Sequence, residues 1–365
     1  MDTNFAALQP KQKLVWSREV WEAARDAMFI NRFLGDENSV IQRITELTET
    51  ERGEQVIMQL VADLVEDGVQ GDNEREGYEE AMQNYSQIIN MDLISHGVKS
   101  RGKLATQKSV LNFRKLGRNR LAYWLANRSD QLAFLTMSGI AYTFKNDGGT
   151  RASSTFANLA FASDVVAPST KRALMWDGSA LSASNTASIA STYTVNYKMI
   201  VDAIAYAKDH YIRPLKNGGK DYYVFFMKPG ALAQLKKDAD YQRAVVGVAT
   251  KSGTDSPWFQ GGTVMVDGAV IHEHRLVYST KGAASGSKWG AASAVDGTRT
   301  LLCGAQAMGM VDLGPPDWVE KKFQYDSQDG INVDKMFGFL KPQFYSIYDG
   351  SVEDFGLLTI DHYLQ

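Results

Sequence analysis

The chain has 365 residues, of which 44% are hydrophobic and 22% are charged. This composition is typical of a globular protein and excludes wholesale disorder, a collagen-like repeat and a coiled-coil rod. The 39 basic and 42 acidic side chains give a formal net charge of −3, which excludes a globally basic nucleic-acid binder but is compatible with a local basic patch.

Cysteine content and hydropathy restrict the cellular setting. The single cysteine, Cys303, excludes an intramolecular disulfide framework and a cysteine-rich metal site. The first residues lack the basic and then apolar pattern of a signal peptide, and no apolar run approaches the roughly 18 residues of a membrane span. We therefore expect a protein that folds in a reducing cytoplasm and has no membrane partner.

The N-terminal part of the chain predicts a helix followed by a long hairpin. Residues 14–30 space their apolar side chains at helical intervals. Residues 39–65 are rich in β-branched side chains, which favours extended structure, and residues 85–94 again favour a strand. Between them, residues 66–80 are acidic and nearly free of apolar side chains. A strand, a polar tip and a second strand predict a hairpin whose tip is too polar to bury.

A long helix is predicted from Leu104 to Met137. Apolar or small residues recur there at steps of three and four. At 1.5 Å per residue, such a helix is about 45 Å long, which is uncommon in a compact domain. We expect it to act as a strut for the rest of the fold.

The second half of the chain predicts a mixture of helices and strands. Residues 141–195 are dominated by small polar side chains, so we expect a loop-rich insertion or a link between domains. Apolar spacing over residues 199–207 predicts a helix, and Pro229 is expected to open another. The remaining apolar runs predict strands at 222–227, at 262–279 as a pair turning at Asp267-Gly268, at 300–313, around 335–348 and at 355–364.

Charge is distributed unevenly along the chain. Between Glu51 and Glu80 there are ten acids and two bases, a balance of −8, whereas between Lys99 and Arg128 there are nine bases and no acid. A charge run is commonly a solvated helix face. However, like charges three and four residues apart destabilise a helix by a few tenths of a kcal/mol per pair. We therefore expect the basic helix to have a partner, either nucleic-acid phosphates or the acidic hairpin of the same or a neighbouring chain.

Catalytic chemistry has little support in the sequence. His272 and His274 would share one face of a strand and could bind one metal ion, but no third ligand lies nearby. Cys303 lies in an apolar strand, where a thiol is usually inert. The glycine-rich segments fit neither common phosphate-binding spacing. We expect no enzyme activity, no metal and no cofactor.

The chain resembles the major capsid proteins of N4-like tailed phages, which have the HK97-type capsid fold. The resemblance covers about residues 20–140 and 220–280 and is densest over residues 33–92. Its distinctive stretches are Ser39-Val40-Ile41-Gln42, Thr45-Glu46-Leu47, Gly68-Val69-Gln70-Gly71-Asp72, Glu79-Glu80 with Asn84-Tyr85, the run from Leu121 to Ala126, and residues 257–274.

This resemblance implies an α+β shell subunit in which the hairpin is an E-loop lying over an adjacent subunit. It implies residues 1–47 as the N-terminal arm and entry to the P-domain, 48–98 as the E-loop hairpin, 99–140 as the P-domain spine helix, 141–195 as the loop-rich insertion, 196–315 as the A-domain and 316–365 as C-terminal strands that return to the P-domain.

The resemblance also implies which residues meet partners. The acids of the hairpin tip would contact a neighbouring subunit: Glu66, Asp67, Asp72, Glu74, Glu76, Glu79 and Glu80. The bases of the helix and its approach would contact a neighbouring subunit or DNA: Lys103, Lys108, Arg114, Lys115, Arg118, Arg120 and Arg128. If the two charged sets meet, reversing Lys108, Arg114 and Arg118 to Glu should block assembly and leave the monomer folded.

The implied function is the major capsid protein of a tailed double-stranded DNA phage. Copies would form pentamers and hexamers of an icosahedral shell, assembled in the host cytoplasm and found in the virion. The expected partners are further copies, packaged double-stranded DNA without sequence specificity, and portal, scaffold and decoration proteins. The alternatives are a metal-dependent enzyme using His272 and His274, a cellular nanocompartment shell protein, and a free DNA-binding protein acting through residues 99–128.

Overall fold

The computed structural model of the chain describes residues 10–45, 55–61, 64, 68–71, 76, 84–102, 113–152, 154–249, 263–266, 268–346 and 348–365. No helix within these ranges is both long and apolar enough to cross a membrane. The α-helices are α1 Pro10–Ala27, α2 Phe113–Ser138, α3 Tyr197–Asp209, α4 Pro229–Lys237 and α5 Ala239–Ala249.

The strands of the described residues form two large sheets and two separate pairs. They are β1 Leu34–Gly35, β2 Ile41–Ile44, β3 Gln55–Val61, β4 Asn84–Asn90, β5 Asp92–Lys99, β6 Ala173–Trp176, β7 Leu181–Ala183, β8 Leu215–Asn217, β9 Lys220–Met227, β10 Thr263–Val266, β11 Ala269–Glu273, β12 Gly297–Cys303, β13 Met308–Asp312, β14 Asp317–Phe323, β15 Gln328–Leu340, β16 Gln343–Ser346, β17 Ser351–Asp354 and β18 Leu357–Tyr363.

The six-stranded sheet is built around the long strand β15. β5 pairs along one side of β15, and β13 followed by β14 pairs along the other side, with β2 and β1 beyond β13. Successive side chains of a strand point to opposite faces. On one face, Ile331 and Val98 contact Gly117 of α2, and the Lys335 ammonium lies 4.0 Å from the ring of Trp21 in α1. We call this the helix face.

The opposite face of this sheet holds the antiparallel pair β3 and β4, and we call it the hairpin face. Met58 and Ile89 pack over Gly309 of β13. The carbonyl oxygen of Asn90 lies over Gly338 of β15, where a Cβ atom would be only 2.2 Å away. The hairpin therefore lies close to the sheet because two strand positions carry no side chain.

The eight-stranded sheet has the order β10-β11-β9-β12-β18-β6-β7, with β8 beside β9. β9 is buried on both faces, which explains its unbroken apolar run. Tyr223 and Phe225 belong to a core cluster with α3 and α4, whereas Val224 and Phe226 belong to the cluster that includes α2. One continuous core thus joins this sheet to the helix face of the other.

Several predicted elements are confirmed. The structure has helices where residues 14–30 and 199–207 predicted them, and α4 begins at Pro229. The strand pair predicted over 262–279 corresponds to β10 and β11, although Asp267 lies outside the described residues. The long helix is described from Phe113 to Ser138, and its predicted first turns lie outside the described ranges.

Other predicted elements were wrong in detail. Residues 141–195 are not only loops, because β6 pairs in parallel with β18 inside the eight-stranded sheet and buries Trp176. The single strand predicted at 300–313 is two strands in different sheets, β12 and β13. The strand predicted at 85–94 divides at Met91 into the hairpin strand β4 and the sheet strand β5. At 300–313 both strands are fully buried, so the apolar run shows no break where one sheet ends and the other begins.

The sheets also cross the division that the resemblance implied. β13 falls within 196–315 but belongs to the six-stranded sheet with β14 and β15. β18, within 316–365, lies between β12 and β6 in the eight-stranded sheet. The C-terminal segment therefore contributes strands to both sheets.

Candidate functional site

The basic helix α2 has acidic partners within the same subunit. The Arg114 guanidinium donates through Nε to Glu320 Oε1 at 2.8 Å, and both side chains are largely buried. Arg118 forms an ion pair with Glu19 of α1. Glu320 lies on β14, and its side chain points to the helix face. Glu19 lies on α1, which packs directly along α2. The fold thus brings two distant acids to the helix.

This pairing corrects one expectation from the sequence. By sequence alone, the helix has no compensating charge, because no acid occurs between Lys99 and Arg128. The compensating acids lie 206 and 99 residues away in the chain, at Glu320 and Glu19. No local charge pattern signals such pairs, since only the packing of α1 and β14 against α2 creates them. Part of the positive charge is therefore structural.

The rest of the basic set is more accessible. Lys115 and Arg120 are exposed on α2, whereas Arg128 is half-buried and donates to Gln131 Oε1 at 2.6 Å. Leu116 and Tyr123 are exposed on the same helix, Tyr123 to 51%. Residues three and four apart share a helix side, so the bases and these apolar side chains form a mixed stripe. Lys103 and Lys108 lie outside the described residues.

The acidic tip of the hairpin is described only in part. Glu76 is exposed. The six remaining predicted acids of the tip lie outside the described residues: Glu66, Asp67, Asp72, Glu74, Glu79 and Glu80. Gly68 and Gly71 are exposed, and a Cβ atom at either position would meet nothing within 4 Å. Leu64 is also exposed, so the described parts of the tip are not packed into the core.

The base of the hairpin, by contrast, is firmly attached to its own subunit. Gln87 donates through Nε2 to the carbonyl of Gln343 at 2.6 Å and accepts from the Gln343 amide at 3.0 Å. Asn90 donates from its backbone and side-chain nitrogens to the two oxygens of Asp164, at 3.0 and 2.7 Å. These contacts hold the base of the hairpin against β16 and Asp164.

The two histidines considered as metal ligands lie in an aromatic cluster. The His274 ring stacks on Phe29 with centroids 4.2 Å apart and on Phe134 at 5.1 Å. His272 meets Phe33 edge-on at 5.0 Å. Burial lowers the pKa of both imidazoles, that of His274 to about 4. The rings therefore act as neutral packing groups at the junction of α2, β11 and the segment after α1.

The other reactive side chains give no catalytic arrangement either. Cys303 is fully buried in β12, and burial raises the pKa of its thiol. In the part of the chain that the structure describes, no three His, Cys, Asp or Glu side chains are grouped to hold a metal ion. Cys303 therefore serves as a small apolar residue in the sheet.

Sequence reasoning missed several buried ion pairs that join the elements of the subunit. Arg299 donates to both oxygens of Asp361 at 2.7 and 2.9 Å and to the carbonyl of Ser138, at the end of α2, at 2.7 Å. Lys335 pairs with Asp312, and Lys341 with Asp354. Each pair is separated in sequence by more than ten residues, and no pattern in the chain indicates it.

Comparisons with known proteins identify similar sequences and structures among phage capsid proteins. A family model described as phage capsid protein matches residues 4–365. The major capsid protein of Pseudomonas phage KPP25 is 49% identical over 364 residues, which cover 98% of this chain and 96% of that protein. The capsid of Ralstonia phage GP4 superposes with a TM-score of 0.76 at 28% identity, covering 92% of this chain and 91% of that one.

A more distant likeness supports the architecture. The capsid protein of cyanophage Pam1 superposes with a TM-score of 0.70 at 18% identity over 92% of both chains. These neighbours have the HK97-type fold, so the predicted α+β capsid architecture is confirmed. Because the family model matches nearly the whole chain and a relative is 49% identical over almost its full length, the chain belongs to the phage capsid protein family.

Proposed function

We propose that this capsid subunit assembles with many copies of itself into the closed icosahedral shell of an N4-like tailed phage, made of pentamers and hexamers. The observation that carries the proposal is the nearly full-length likeness to a major capsid protein. Family membership makes the chain a structural shell protein and not an enzyme. The N4-like assignment is supported by the stretches within residues 33–92 quoted above.

The two faces of the six-stranded sheet support different partners. The acidic hairpin lies on the hairpin face, attached at its base and exposed in the described parts of its tip. An anchored arm with an exposed tip suits contact with a neighbouring subunit. Complementary charges at such a contact fix the relative position of the two subunits more than they raise the affinity. We assign this role to residues 48–98, the E-loop, and to the tip acids between Glu66 and Glu80.

The exposed bases lie on α2, which packs on the face opposite the one that holds β3 and β4. We assign Lys115 and Arg120 to packaged double-stranded DNA, whose phosphates they would neutralise without reading its sequence. The shell would form in the host cytoplasm with scaffold, portal and decoration proteins as further partners. Arg114 and Arg118 remain paired with Glu320 and Glu19 of the same subunit and take no part in DNA binding.

Assembly of the purified protein tests the proposal directly. The chain would be expressed alone and together with its viral scaffold and portal partners, and the products examined by negative-stain electron microscopy. We expect closed particles. A chain that stays monomeric at every concentration and salt condition, with and without these partners, would contradict the shell function.

The assignment of α2 has its own test, which replaces the reversal of Lys108, Arg114 and Arg118. Reversing Arg114 or Arg118 would place like charges beside Glu320 or Glu19 inside the subunit, so folding and assembly would be confounded. Instead, Lys115→Gln and Arg120→Gln would be introduced together into the phage. We expect shells in normal number and fewer DNA-filled heads. Loss of the shells themselves would show that the stripe contacts another subunit.

A further inference from the structure

Two arginines from different elements converge on one neutral acceptor. Arg128 of α2 donates through Nη1 to Gln131 Oε1 at 2.6 Å, and Arg151 donates through Nη2 to the same oxygen at 3.3 Å. Among the residues that the structure describes, neither guanidinium forms an ion pair with an acid. Two positive charges are therefore held close together around one amide oxygen.

The position of Arg151 is fixed by its surroundings. Its Nε donates to the carbonyl of Phe144 at 2.9 Å, and its guanidinium lies 5.2 Å from the ring centroid of Phe156. Its backbone amide donates to the carbonyl of Thr143 at 2.8 Å. Because these contacts already order the side chain, a ligand of the guanidinium would cost little further side-chain entropy.

The charges around this pair are not balanced. Burial lowers the pKa of Arg151, and the charge of Arg128 lowers it further. Asp147 acts in the opposite direction, but its carboxylate accepts from a backbone amide of its own loop. Burial and then Arg128 also lower the pKa of His96. Mutual repulsion of this kind, in a partly buried group of cations, is relieved when an anion binds between them.

The pair continues the surface of α2 that we assign to DNA. Residues three and four apart share one side of a helix, so Arg120, Trp124 and Arg128 follow one another along α2. Trp124 stacks on His96 of β5 with ring centroids 4.4 Å apart, which places this side of the helix along β5. Arg120 and Arg128 are separated by about 12 Å of helix. The two arginines around Gln131 therefore lie at the end of one positive strip.

We propose that Arg128 and Arg151 form a binding site for a phosphate group. The planar fork of a guanidinium matches two phosphate oxygens, and a phosphate between two forks would offset their repulsion. Gln131 would keep the forks in place for the anion. Inorganic phosphate and a phosphodiester of packaged DNA share this chemistry. The inference goes beyond the proposed function because it adds Arg151, from outside the basic helix, and a defined site; only its DNA arm rests on that function.

Phosphate-dependent stability of the unassembled subunit is the first test. A ligand that binds only the folded state raises the free energy of unfolding, so sodium phosphate should raise the urea midpoint of the native protein more than that of Arg128→Gln. Phosphate also stabilises proteins in general, so the comparison is made between variants at equal ionic strength. Arg243→Gln removes an exposed charge on α5 and should respond as the native protein does. Equal responses of the native protein and Arg128→Gln would overturn the site.

The imidazole of His96 reports binding more directly. An anion beside Arg128 should raise the pKa of His96, because it opposes the effect of the guanidinium. We expect a saturable change of the His96 NMR signals with inorganic phosphate, and about tenfold or more weaker binding in Arg151→Gln. Arg151→Lys keeps the charge but not the fork and should bind with intermediate affinity. The absence of a saturable change in the native protein would contradict the inference.

Reconstructions of particles distinguish the two sources of phosphate. In phosphate-free buffer, density between Arg128 and Arg151 in DNA-filled heads assigns the site to the DNA backbone. Density only in particles given inorganic phosphate assigns it to the free ion. A carboxylate of a neighbouring subunit in this position, or no density under either condition, would overturn the inference and leave the shell function intact. The two tests on the unassembled subunit need no particles, so a failure to form shells would contradict the proposed function alone.

Discussion

Arg299 is enclosed between the eight-stranded sheet and the end of α2, where its guanidinium meets the Asp361 carboxylate through two hydrogen bonds. Ser184 donates to the same carboxylate at 2.7 Å. Removing a charged pair from water is costly, and the cost is offset only when its geometry satisfies the donors and acceptors. Removing either charge alone should therefore destabilise the subunit.

Asp361→Asn would leave the Arg299 charge buried without its counter-ion. We expect a loss of about 3–5 kcal/mol in the free energy of unfolding. Urea denaturation of the unassembled subunit measures it. In the control, Asp240→Asn breaks a solvent-exposed pair with Arg243 and should cost about 0–1 kcal/mol. Equal effects of the two substitutions would show that the buried pair has no special role.

His274 makes the subunit sensitive to acid. Its pKa is lowered to about 4 by burial and, secondarily, by Arg275 and Lys228. The His274 imidazole binds a proton near pH 6.5 in the unfolded chain but only near pH 4 in the folded chain. The free energy of unfolding therefore decreases as the pH falls from 6.5 to 4. Asp130, whose pKa burial raises to about 6, acts in the opposite direction over part of the same range.

His274→Phe isolates this contribution because Asp130 is present in both proteins. The variant keeps an aromatic ring beside Phe29 and Phe134 and removes the titration. We expect its free energy of unfolding to gain up to about 3 kcal/mol relative to the native protein between pH 7 and pH 4. Urea denaturation across this range checks the prediction. A difference independent of pH would show that His274 does not titrate as its burial implies.

At the scale of elements, the attachment of the hairpin depends on the sheet beneath it. Met58 and Ile89 are buried over Gly309, while Ile57 and Ile88 pair on the outer side and are about half exposed. This alternation is that of a half-buried pair of strands. The hairpin base is therefore part of the subunit core, and its outer side is available for neighbours.

Gly338→Ala tests this attachment. The new methyl group would lie 2.2 Å from the Asn90 carbonyl oxygen, so the hairpin or β15 must shift. We expect a loss of about 1–3 kcal/mol in the free energy of unfolding, as for other overpacked sites. Limited proteolysis should also cleave the hairpin faster. Gly97→Ala, on β5 of the same sheet, brings the new methyl group no closer than 3.1 Å to a neighbour and is the control. Unchanged proteolysis of Gly338→Ala would show that the hairpin is not held there.

Helical spacing and strand composition predicted most elements but not their assignment to sheets. α3 and β9 were predicted because their patterns are local and strong. β6 was hidden in a run of small polar residues, since only pairing with β18 makes it a strand. The run at 300–313 looked continuous because β12 and β13 are both buried, although they enter different sheets.

At the scale of the whole molecule, the six-stranded sheet separates the base of the hairpin from the basic helix. β3 and β4 pack on one face and α2 on the other. The sequence predicted both elements but not this placement, which depends on the alternation of side chains in β15 and β13. Likewise, Glu19 and Glu320 became partners of α2 only through packing.

The most direct test of the whole account is a cryo-electron microscopy reconstruction of the assembled particle, with the hairpin traced from β3 to β4. We predict that residues 66–80 of every subunit contact a different subunit. A reconstruction in which this segment folds back onto its own subunit, with no contact to a neighbour, would contradict the account.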